Sequence, residues 1–176
     1  MLTRSPFSMI RIFILTICFL AAGIFSAGAQ QPPSYPKITG YFAILNPIGS
    51  WNKNGFTDNF SGVYTIGFPF GLNILKNDRF GVSFELVPSI RTEHGISKVN
   101  AVLFHPGAMF RFKHGFTFIG RAAFETSGRF GFTPVLNQVL LKGKSVSFYA
   151  AVPVPVRFGN AQPASLGAGI QLGVGF

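Results

Sequence analysis

The chain is poor in charge. Lysine, arginine, aspartate and glutamate make up 11% of its 176 residues, against about 25% in an ordinary soluble domain. Those residues normally build the water-facing side of a sheet or helix, so most of this chain lacks the material for a solvated face. Acids are scarcest, five against fifteen bases. Cysteine occurs once, as Cys18, which excludes an internal disulfide framework. There is no G-x-S-x-G, no histidine pair at metal-ligand spacing and no phosphate-binding glycine loop. The Gly-x-Gly repeats near the C-terminus lie in a strand pattern and open no helix, so they are not a dinucleotide fingerprint. No segment reads as a capped amphipathic helix. Neither a cofactor nor a metal nor a catalytic role is expected.

What the chain has in quantity is phenylalanine, 22 residues. Every one after position 29 is even-numbered, from Phe42 and Phe56 through Phe84, Phe118 and Phe132 to Phe176. Apart from Lys98, the charges within the same stretches are odd-numbered, among them Glu85, Arg91, Arg111, Arg121, Glu125, Arg129 and Arg157. A period of two belongs to β-strands, whose successive side chains point to opposite faces. One face of nearly the whole chain is therefore aromatic and aliphatic. The other carries Gly, Ser, Thr and a few charges.

The N-terminus stands apart from this pattern. Arg4 and Arg11 form a basic region ahead of an apolar run from Ile12 to Ile24, followed by Ala27-Gly28-Ala29. That is the layout of a secretory signal peptide with its small-residue cleavage site. The run is short of the roughly 20 residues a spanning helix needs. Residues 1–29 are expected to be removed, and Cys18 with them. Residues 30–37 are a Pro-rich irregular lead-in. Two of the fifteen bases and none of the acids lie in the leader, so the formal charge falls from +10 to +8. Basic balance can point to nucleic acid, but a secreted chain rarely meets it. Anionic lipid or lipopolysaccharide fits better, and a basic surface with no specific partner better still.

Eight strands are expected over 38–47, 60–75, 79–91, 98–112, 115–126, 129–141, 145–158 and 164–176. Most exceed the usual five or six residues of soluble strands and match the roughly 9–11 of a tilted membrane-spanning strand. The connections alternate. Gly49 to Asn59 reads as a long polar loop containing Trp51, and Thr92 to Ser97 as a medium one. Lys76-Asn77-Asp78, Lys113-His114-Gly115 and Lys142-Gly143-Lys144 read as tight basic turns, all at one rim. Asn, Asp and Gly supply the positive φ that tight hairpins require. Pro69, Pro88, Pro106, Pro134, Pro153 and Pro155 fall inside strands, where a missing N–H predicts bulges or broken pairing.

Parity alone allows two eight-stranded barrels: a lipocalin-like one with its apolar face inward, or a membrane barrel with it outward. The polar face is rich in Gly and poor in charge, which suits a narrow lumen. The expected fold is an all-β, eight-stranded antiparallel up-and-down transmembrane β-barrel over residues 38–176, both termini at the tight-turn rim. Phe84, Phe118 and Val154 then face lipid, while Glu85, Arg121 and Gly169 line the lumen. Tyr41 and Tyr149, being odd, fill the lumen too.

With its leader Met1–Ala29, its eight alternating segments and a last strand Leu166-Gly-Ala-Gly-Ile-Gln-Leu-Gly-Val-Gly-Phe176, the chain resembles the small eight-stranded outer-membrane β-barrel proteins of Gram-negative bacteria. The resemblance implies location in the cell outer membrane as a monomer, among lipid and lipopolysaccharide. It also implies that the terminal strand ending in Phe176 is read by the barrel-assembly machinery.

Glu85, His105 and Arg121 are expected to meet near mid-height as a barrel-interior charge cluster, since membrane-buried charges pair. Arg91, Glu125, Arg129 and Arg157 are expected nearer the opposite rim from the tight turns, as a second ion-pair layer or as a basic mouth attracting anions. These features point to a structural or interaction role, with a narrow channel for small solutes as the alternative and a lipocalin-like binder as the less favoured one. An outer-membrane lipid enzyme would need a Ser–His pair within reach of an acyl chain. His105 is expected in the lumen, with His94 and His114 in connections.

Overall fold

The computed structural model describes residues 34–176; the expected signal peptide and the first half of the lead-in, residues 30–33, lie outside the described residues. Residues Tyr35–Phe176 form one compact unit. Its strands are β1 (Lys37–Asn52), β2 (Gly55–Asp58), β3 (Val63–Gly67), β4 (Phe70–Leu75), β5 (Phe80–Glu93), β6 (Ile96–Arg111), β7 (Phe116–Glu125), β8 (Phe130–Lys142), β9 (Ser147–Pro153), β10 (Val156–Phe158) and β11 (Ser165–Gly175). All pairings are antiparallel. β3 with β4, and β9 with β10, each make one interrupted stave, and β2 folds back on the end of β1. The eleven segments thus group into eight staves. β1 pairs with β11 from Tyr41↔Gly175 to Asn52↔Ser165, which closes the sheet. Closure ends in a reciprocal pair, Gly40 N to Phe176 O at 2.8 Å and Phe176 N to Gly40 O at 2.9 Å.

Prolines cause both interruptions. β3 stops before Phe68-Pro69 and β9 before Val154-Pro155. The ladder survives because the residues beside the missing donors still bond. Phe68 N donates to Pro88 O and Ala43 N to Pro69 O, at 2.9 and 2.8 Å. Val154 N donates to Pro134 O and Gly167 N to Pro155 O, at 2.9 and 2.7 Å. Bulges lie between Pro47 and Gly49 and between Ser89 and Ile90, just past Pro88. Pro106 acts differently. β6 and β7 pair at Phe104↔Phe124 and again at Gly107↔Arg121, with nothing between and no change of register. The absent N–H opens a gap without shifting the strands.

Two expected loops are strand instead. Gly49 to Asn59 is a hairpin of β1 with β2, in which Trp51 pairs with Phe56 at a ring separation of 4.6 Å. Thr92 to Ser97 shrinks to a two-residue turn at His94 and Gly95, both with positive φ (50° and 77°). That is the backbone a two-residue hairpin favours. Thr92 and Ser97 join their hydroxyls across it at 2.9 Å. The alternation of long and tight connections is therefore weaker than expected. The tight-turn rim itself stands as read: Lys76–Arg79, the 3-10 turn Lys113–Gly115, the Lys142–Val146 turn, and both barrel ends, Lys37 and Phe176.

Burial follows parity. The buried apolar residues, Tyr41, Ala43, Leu75, Val87, Ala101, Met109, Ile119, Ala123, Val135, Tyr149 and Ala151, are all odd. Phe84 and Phe118 remain 43% and 38% exposed on the outside, Val154 is half-buried, and Gly169 is buried. An inward-facing apolar cavity of lipocalin type is inconsistent with this arrangement.

Candidate functional site

The lumen is crossed by a continuous polar network. Glu85 on β5 stands directly opposite His105 on β6. His105 Nδ1 lies 3.0 Å from Glu85 Oε1, and Arg121 Nη1 on β7 lies 3.2 Å from the same oxygen. Tyr41 on β1 donates its hydroxyl hydrogen to Glu85 Oε2 at 3.0 Å. Arg121 Nη2 donates to the Tyr41 hydroxyl at 3.0 Å and to Ser83 Oγ at 3.1 Å. Glu85, His105 and Arg121 are at most 4% exposed, so the carboxylate depends on these partners rather than on water.

The long side chains reach across because glycine clears their path. Tyr41 is in register with Gly71, and Gly71 with Glu85. A Cβ on Gly71 would sit 2.6 Å from the Tyr41 hydroxyl. Arg121 is in register with Gly107, and Gly107 with Ser83; a Cβ there would sit 2.7 Å from Arg121 Cγ. Each interior giant thus crosses one strand to bond with the next.

Arg157 corrects the expectation of a rim residue. It is buried, 7% exposed, and joins the interior. Its Nη2 lies 3.1 Å from His105 Nε2 and its Nη1 3.0 Å from Thr133 Oγ1. Its Nε pairs with Glu125 Oε1 at 2.8 Å, reaching β7 across Gly131, its register partner on β8. Arginine only donates, so His105 Nε2 accepts and the imidazole proton sits on Nδ1, facing Glu85. The chain of contacts runs Arg121–Glu85–His105–Arg157–Glu125. A guanidinium extends far from its Cα, so backbone height does not fix where its charge lies.

The other expected rim charges separate. Arg129 Nη2 donates to Arg157 O, Pro163 O and Ser165 Oγ, at 3.3, 3.1 and 3.0 Å, tying the β7–β8 turn to the β10–β11 connection. Arg91 pairs with Glu93 at 3.2 Å on the same strand, half-exposed and away from the others. Phe176 is exposed, its ring against Gly40, where a Cβ would meet Cε2 at 2.5 Å. His94 and His114 hold positive-φ turn positions. Sequence reading missed Ser83 and Thr133 as partners. Their odd numbers were the available signal, but their contacts depend on register.

Thr133, His105 and Glu85 have the connectivity of a nucleophile, base and orienting acid, with Thr133 Oγ1 3.2 Å from His105 Nε2. Two features oppose chemistry there. Arg157 already donates to that nitrogen, and the adjoining cavity is about 60 Å³, too small for an ester substrate. Among the described residues no group of three or more His, Cys, Asp or Glu is placed to hold a metal ion.

A second cavity, about 260 Å³, occupies the tight-turn half of the lumen. Arg121, Val135 and Gln171 border both cavities and stand between them.

No protein-family model and no curated protein sequence matches the chain. Among solved structures it is similar to the de novo designed TMB2.3, solved by solution NMR (13% identity, TM-score 0.44, covering 81% of this chain and 96% of that one). It is also similar to a structure described as a de novo design of transmembrane β-barrels (7%, 0.45, 81% and 97%). A third is the outer membrane protein OprG from Pseudomonas aeruginosa (11%, 0.38, 78% and 92%). Likeness this distant leaves the fold resting on the chain's own strand pairing: a closed antiparallel barrel, apolar outside and charged within.

Proposed function

We propose that the protein is an outer-membrane β-barrel with a structural or interaction role, plugged against solute flow and without catalytic activity. One observation carries this reading: the burial pattern is inverted. Phenylalanines cover the outside while Glu85, His105, Arg121 and Arg157 are buried in the lumen. A monomeric soluble protein rarely exposes contiguous apolar patches beyond a few hundred Å², whereas lipid accepts such a surface. β7, with ten residues, has the length of a tilted membrane-spanning strand. The partners that follow are membrane lipid, lipopolysaccharide at the outer leaflet, and the assembly machinery acting on the strand that ends in Phe176. No nucleic acid is involved, and the barrel works as a monomer.

The test is refolding of the mature chain with and without detergent or lipid. Spin labels at positions 84 and 118 should be relaxed by a lipid-soluble quencher, and a label at 169 should not. A mature protein that stays folded and monomeric in buffer alone overturns the reading. A narrow channel is the second reading, favoured by the larger cavity of the tight-turn half.

A further inference from the structure

The cavity in the tight-turn half of the lumen has a composition that a passive void would not need. Four cations line its wall near the rim: Lys37, Arg111, Lys142 and Lys144. No aspartate or glutamate side chain lines it. Deeper, the wall turns apolar at Leu75, Met109 and Ile119, all buried. Among the described residues, three buried side-chain polar atoms lack a partner, and two of them, Asn73 Oδ1 and Arg121 Nε, belong to this wall. Arg121 is itself 4% exposed. A concave apolar site with a few convergent polar groups is the usual form of a small-molecule pocket.

We infer that this chamber is a binding site for a small organic anion, its charged head among Lys142, Lys144, Lys37 and Arg111, its short apolar body against Leu75, Met109 and Ile119. Charge complementarity selects the anion. The apolar depth separates such a ligand from a bare inorganic ion, and the volume of about 260 Å³ limits it to a short-chain or aromatic acid. The network of Glu85 and Arg121 closes the inner end, so the chamber loads and empties at the tight-turn rim. The inference needs only the closed barrel and holds whichever solvent surrounds it.

Met109 makes the test direct, because it is the only methionine beyond the leader, the others being Met1 and Met9. The mature chain, labelled with ¹³C-methyl methionine and refolded in phosphocholine nanodiscs, is titrated with hexanoate and benzoate. Hexanol and inorganic phosphate serve as controls. The expected result is a saturable shift of the Met109 methyl with both acids and with neither control. Affinity should fall about fivefold in Lys142→Gln/Lys144→Gln, the scale of losing two exposed charge contacts. Lys53→Gln/Lys98→Gln, on the opposite half, should leave it unchanged. An equal response to hexanol, an unsaturating response, an equal response to phosphate alone, or indifference to the Lys142/Lys144 change would each overturn the site. If the mature chain folds in buffer without lipid, the membrane reading fails, yet the same titration in buffer still decides the chamber.

Discussion

At three positions a long interior side chain spans a strand to reach its partner, and each crossed strand carries a glycine in register: Tyr41 over Gly71, Arg121 over Gly107, Arg157 over Gly131. Gly107→Ala should therefore cost far more than a surface alanine. Its methyl would meet Gly120 O at 2.3 Å and Arg121 Cγ at 2.7 Å, and overpacking of this kind costs about 1–3 kcal/mol, readable as a lower urea midpoint of the lipid-embedded barrel. Glu85→Gln removes the negative charge that Arg121 and His105 share and puts a donor amide where Tyr41 needs an acceptor. Breaking a buried pair by removing one partner costs about 3–5 kcal/mol, so this variant should be the least stable of the lumen set. An unchanged urea midpoint would mean that water, not Glu85, solvates Arg121. The side assigned to Glu85, His105 and Arg121 was legible because parity reports the face. The place of Arg157 was not, since a guanidinium's reach and the gap at Gly131 appear only once the strands are in register.

Each strand's face was legible from its alternation, and its ends were less so. The β1–β2 hairpin read as a loop because Asn52, Lys53 and Asn54 look like turn chemistry, and they do supply the turn; the strand pairing on either side of it depends on Trp51 meeting Phe56. The turn at His94-Gly95 read as longer because histidine at positive φ is uncommon. Prolines foretold trouble without foretelling which kind: a break at Pro69, a bulge beyond Pro88, a gap beside Pro106. At this scale the decisive substitution is on the outer face of β7. Phe118 pairs with Phe110 on one side and Leu136 on the other, all three exposed. Phe118→Arg should lose folding free energy in bilayers, up to the roughly 2–4 kcal/mol of an arginine at the midplane. Heat-modifiable mobility on gels, measured after refolding into vesicles, reads the loss. If the arginine variant refolds as well as the parent, the outer face of β7 does not meet hydrocarbon.

For the whole molecule, closure follows from the even count of staves and from β11 returning to β1. With eight staves the interior is filled by side chains rather than open. Here the filling is unequal: about 260 Å³ is empty toward the tight-turn rim and about 60 Å³ beyond the charge network. The obstruction between the two is Arg121 and its partners, not a solid apolar core. The parent barrel should therefore show no steady porin-like current in planar bilayers. Removing both charges together, as Glu85→Ala/Arg121→Ala, avoids stranding either one and removes side-chain volume where the cavities approach each other. That double variant should fold and should pass small, resolvable currents, while Phe118→Leu, altered only on the outer face, should remain silent. Large steady currents from the parent would make it a channel and reverse the order of the two readings. Silence from a folded double variant would place the obstruction at Val135 and Gln171, the other residues that border both cavities.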